Sequence, residues 1–151
     1  AAAPAALTRN QHANFRALHG QVATAMAERS APAARGPLLA ALAADLAALR
    51  AAGTPAASAH AAQLAAAHAA LGGAARSEIL VALAAAAAAH DAADMPLAAA
   101  AVRHRLGCWR GDAEGEALFI RSEAFMRLQA IACPARWVEM AVPALAPPPG
   151  P

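Results

Sequence analysis

Apolar residues recur along this chain at steps of three and four, the spacing of helices that bury one face. Leu38, Leu39, Leu42, Leu46 and Leu49 line one such row, and Phe15, Leu18, Val22 and Met26 lie near one face of another. Leu97, Ala101 and Leu106 follow at roughly helical spacing, and Leu118, Phe125, Leu128 and Ile131 fall on one side of a later helix. Runs that read as strands are almost absent. Helix signals cut the pattern into pieces. Thr8 opens a predicted helix over 8–29, and the break at 30–37 carries two prolines and a glycine. A second helix ends at Gly53, Thr54-Pro55 caps and starts a third, and Gly72-Gly73 closes it. A fourth covers about 76–92. Asp94 is the expected cap of a fifth, with Pro96 in its first turn and Gly107 and Gly111 as its stops. Asp112 caps a sixth, and Cys133-Pro134 opens a short seventh carrying Trp137, Val138 and Met140.

These pieces repeat. Leu71-Gly72 and Leu106-Gly107 both end an Ala-rich helix and lie about 35 residues apart, a period of tetratricopeptide-like helix pairs. A single pair cannot bury its own apolar face and needs stacked neighbours. The expected fold is therefore all-α: about seven helices, as antiparallel pairs in a tetratricopeptide-like repeat array. Residues 1–7 read as a frayed linker, 8–142 as one helical repeat domain, and 143–151 as a disordered Pro-rich tail. Trp137 is expected to close the C-terminal end of the core against Phe125, Leu128 and Ile131.

Composition changes the picture in two ways. More than a third of the 151 residues are Ala, and only 3% are aromatic, so helices should pack closely through small side chains. All basic residues are Arg, and a net charge of +2 is too weak to indicate nucleic acid. Without Lys, the usual P-loop, kinase ATP site and Schiff-base chemistry are excluded. Two cysteines form no disulfide framework, and the longest apolar run, 79–89, is too short to span a bilayer. The expectation is a soluble cytoplasmic chain without membrane association. Beginning on Ala rather than Met, it reads as part of a longer protein.

Little of the candidate chemistry converges. His60 and His68, like His12 and His19, lie about two turns apart on one helix, too far to share a metal ion. His90, Asp91 and Asp94 cluster more densely, but read as a solvated helix end with a cap. Cys108 lies next to Trp109 and close to Arg110, without an evident His–Cys–acid order, and reads as a structural cysteine. No catalytic, metal or cofactor residue is expected. Arg103, Arg105 and Arg110 are the candidate partner-binding residues, within an Arg-rich half that also holds Arg121, Arg127 and Arg136.

The wording at 91–140 is more specific than the period. Asp91-Ala92-Ala93-Asp94-Met95, Arg103-His104-Arg105-Leu106-Gly107, Gly111-Asp112-Ala113-Glu114-Gly115, Gln129-Ala130-Ile131 and Pro134-Ala135-Arg136 carry it. This stretch resembles the C-terminal end of the tetratricopeptide-like region in large bacterial, myxobacterial-type serine/threonine protein kinases and related multidomain signalling ATPases. Ala130 stands where that ending has Gly, Phe125 where it has Trp, and Trp137 where it has Met. The resemblance implies a non-catalytic interaction or regulatory segment downstream of a kinase or ATPase domain. Its partner would be a protein, a peptide or a neighbouring domain, held on a concave surface lined by the first helix of each pair. The alternatives are a small helical enzyme using His90 with Asp91 or Asp94, and an Arg-rich module binding nucleic acid or phosphopeptides.

Overall fold

The computed structural model describes residues 3–146, with side chains from Gln11 onward. Those residues form seven α-helices and one 3₁₀ turn, with no strand among them. The helices are α1 (Ala3–Arg29), α2 (Gly36–Ala52), α3 (Pro55–Leu71), α4 (Arg76–Ala92), α5 (Pro96–Arg110), α6 (Ala113–Leu128) and α7 (Pro134–Ala141). Successive helices double back through short turns and pack as α1 on α2, α3 on α4, and α5 on α6. Each pair stacks on the next through α2 on α3 and α4 on α5, which gives the expected all-α array.

Local signals set most ends. Thr54 accepts a hydrogen bond from the Ala57 amide, and Asp112 accepts one from Gly115 N at 2.7 Å. Gly53 and Gly111 close α2 and α5 in the left-handed conformation. Two expectations fail here. Asp94 does not cap α5: Met95 holds that position, while Asp94 takes a left-handed turn at φ 55°. Gly107 does not stop α5 but lies inside it, where α6 crosses. A Cβ on Gly107 would fall 2.5 Å from the Gly115 carbonyl oxygen, and one on Gly115 would fall 2.6 Å from the Gly107 oxygen. The two bare backbones let α5 and α6 touch.

Alanine builds much of the interior. In α1 the buried face is Ala13, Ala17, Ala23, Thr24 and Ala27, while the row Phe15, Leu18, Val22 and Met26 faces outward. One core cluster joins α1 to α2 and α3 through Leu42, Leu46, Leu49 and Leu64. A second runs from α3 to the C-terminus through Ile79, Leu83, Val102, Trp109, Met126 and Val138. Trp109, not Trp137, is the buried tryptophan. Trp137 is half-buried against the second core cluster, as are Phe125 and Ile131, and Leu128 is 82% exposed.

Both terminal expectations need correction. α1 already begins at Ala3, inside the expected linker; Ala1 and Ala2 lie outside the described residues. At the other end, Val142 to Leu145 is not a loose tail. Val142, Pro143, Ala144 and Leu145 are all buried, and Leu145 belongs to the second core cluster. Residues 147–151 of the expected tail lie outside the described residues.

Candidate functional site

A groove of about 840 Å³ opens on one side of the array. Its walls come from α1, α3, α5 and α7 and the residues flanking α5 and α7, with none from α2, α4 or α6. Leu18, Val22 and Ala25 of α1 line it together with Trp137 and Met140 of α7. Pro96 and Leu97 continue the lining, and His60 and Gln63 of α3 contribute polar groups. Arg29, Arg136 and Glu139 supply its charge.

One end of this groove is fixed by the chain's own C-terminal segment. Gln21 and Gln63 both donate to the Ala141 carbonyl, at 3.2 and 2.7 Å. Arg105 donates to the Val142 carbonyl, and the Trp109 indole N–H donates to that of Leu145 at 2.8 Å. Glu28 accepts from the Ala144 amide. Side chains of α1, α3 and α5 thus hold by the backbone a strap made of the last residue of α7 and the non-helical residues after it. Burial lowers the affinity of the Arg105 guanidinium for its proton, and Glu28 and Glu139 nearby oppose that shift.

The strap's clamp continues inward. Because the Gln63 amide nitrogen faces Ala141, its Oε1 faces His90 Nε2, 3.0 Å away. An amide oxygen only accepts, so Nε2 carries the imidazole hydrogen, and the buried Nδ1 is left without a partner. His60 stands edge-on to the same ring, with centroids 5.5 Å apart. Burial, and then His60, pushes His90 down to about 4, with Asp91 opposing.

The other sequence candidates are dispersed or engaged. His90 points inward, Asp91 pairs with Arg103 on the surface, and Asp94 is an exposed turn residue. These three do not form one site. Among the predicted partner-binding residues, Arg103 is held by Asp91, Arg105 by the strap, and Arg110 by Asp112 and Glu114.

Two constellations went unseen in the sequence because their members come from different helices. Asp45 of α2 is fully buried and is met by Arg16 at 3.1 Å and His19 at 2.5 Å from α1. On α5 and α6, Cys108 Sγ lies 4.0 Å from His104 Nδ1, whose Nε2 lies 3.8 Å from Glu123 Oε1. The spacing of residues 104 and 108, one helical turn, was the available signal. Burial pushes the Cys108 thiol up and His104 down. The proton therefore stays on sulfur, the reverse of a thiolate–imidazolium pair.

Comparison with protein-family models, curated proteins and solved structures gave no match. Among the described residues, no helix is long and apolar enough to cross a membrane.

Proposed function

We propose that this chain is a non-catalytic interaction module, a scaffold or regulatory segment that holds a protein partner or a neighbouring domain in its groove. The observation that supports this most is the lining. Alternate helices of the stack supply the walls and leave Leu18, Val22 and Met140 each at least half exposed. The resemblance of 91–140 to kinase- and ATPase-associated repeat regions adds a setting, as part of a larger cytoplasmic signalling protein. Two unpaired cysteines suit that reducing compartment. The nucleic-acid alternative is weakened because Arg103, Arg105 and Arg110 are spent on the chain's own groups.

The test is a double substitution, Val22→Asp with Met140→Asp, at exposed positions where folding should survive. The native-length parent protein, wild type or variant, is isolated from its source cells and its companions are identified. The expected outcome is a specific companion protein, or an intramolecular cross-link to a neighbouring domain, that is lost in the variant while the melting temperature holds. Identical companions and cross-links in both would reject the groove as the site.

A further inference from the structure

We infer that the groove's occupant is an amphipathic peptide helix with an acidic flank, laid along α1. This rests on the reading of the chain as an interaction module and adds the partner's chemistry. The first ground is the shape of the exposed apolar surface. Phe15, Leu18, Val22 and Met26 step by three, four and four residues and are 50–62% exposed. On a helix rising 1.5 Å per residue this row is about 16 Å long. The row goes beyond the groove's own lining, to Phe15 before Leu18 and to Met26 beside Ala25. A small molecule would cover only part of it. A second helix, with apolar residues at the same spacing, covers all of it and seats its stripe between α1 and Trp137 and Met140.

The second ground is charge. Arg29, in the last turn of α1, and Arg136 of α7 both line the groove. Both are exposed, and among the described residues neither side chain has a hydrogen bond or ion pair. Among the described residues the groove is lined by these two guanidiniums and one carboxylate, the exposed Glu139. Two guanidiniums against one carboxylate leave an otherwise apolar groove net positive, which favours an occupant that brings carboxylates. The same charges disfavour a second copy of this chain. α1 carries one acidic residue, Glu28, and it is already bonded to the Ala144 amide. Pairing α1 with itself would bring Arg29 no free carboxylate.

The test is a selection on the immobilised full chain from a library of random peptides about 16 residues long, enough to span the row as a helix. Enriched peptides are expected to place Leu, Met or Phe at steps of three and four, with Asp or Glu at one end. Their binding is then measured by fluorescence polarisation. Arg29→Glu and Arg136→Glu should each weaken it by about tenfold, the weight of one charge-assisted hydrogen bond. A Lys-flanked version of the same peptide should gain on the double variant. Circular dichroism checks that each variant is folded. If the enriched peptides lack acids, or ignore the Arg changes yet are lost on Val22→Asp, the acidic flank is wrong and the interaction reading stands. A concentration-dependent dimer abolished by Val22→Asp would make the occupant a second copy. No enrichment above that of the Val22→Asp, Met140→Asp variant would overturn this inference together with the use of the groove.

Discussion

His90 shows how far one residue's chemistry depends on neighbours that the sequence does not place beside it. As a residue in the last turn of an Ala-rich helix it reads as solvated and favoured there by the helix dipole. The structure turns it inward, because Ala faces let α3 and α4 approach until Gln63 and His60 enclose it. The consequence for stability has a definite sign. An unfolded His binds its proton near pH 6.5, whereas His90 in the fold does so only near 4. Between those values the unfolded chain holds more protons, so stability is complete above 6.5 and falls as pH drops through the window. His60 and His104 shift in the same direction and add to the effect. One fully displaced proton corresponds to at most about 1.4 kcal/mol per pH unit. Urea midpoints at pH 7 and pH 5 should therefore differ less in His90→Gln than in wild type. Equal differences would show that His90 does not carry the slope. The Arg residues teach the same lesson. Their number and clustering were plain in the sequence, but their commitments to Asp91, to the strap and to Glu114 were not.

At the level of elements the sequence was most readable where structure is locally determined. Thr54-Pro55 and Asp112 act within one turn of their own helices, and both cap as expected. Gly107 was misread because its reason is not local. It is small for the sake of Gly115 on the next helix, which no window around residue 107 contains. This makes a counterintuitive prediction. Ala is a better helix former than Gly by about 1 kcal/mol, so Gly107→Ala should stabilise α5 taken alone. In the protein the added methyl meets backbone at 2.5 Å, and overpacking of this kind costs about 1–3 kcal/mol. Gly36→Ala, where nothing lies within 4 Å, serves as the control. Thermal melting should show a loss for the first and little change for the second. A higher melting temperature for Gly107→Ala would refute the close crossing. Helix α1 failed differently. Its large apolar residues share a face as the spacing says, but periodicity cannot tell which of two faces is buried when the other is made of Ala.

For the whole molecule, the array follows from the 35-residue period, while its closure does not. The C-terminal prolines argued against packing, yet Pro143 costs the strap nothing. The clamps use the carbonyls of Ala141, Val142 and Leu145 and the amide of Ala144, so no proton is needed from Pro143. Leu145, fully buried, is therefore expected to matter as a core residue does. Leu145→Ala should cost about 2–5 kcal/mol in urea unfolding. A change below the error of the measurement would return the strap to the status of a loose end.

The strap also sets an order of events in time. Most of the fold consists of neighbours in sequence, helix on next helix, and such contacts form fast. The clamps from Gln21 to Ala141 and from Glu28 to Ala144 instead join residues 120 and 116 apart. Their loop is closed only after the intervening stack has shortened the distance. On the ribosome, the N-terminal helices are made long before the residues that finally fasten them. Contacts made after the barrier slow escape from the native state without hastening its formation. The same Leu145→Ala change should then appear almost wholly as faster unfolding, with refolding unaltered. The last few described residues of the chain act as a latch on its lifetime.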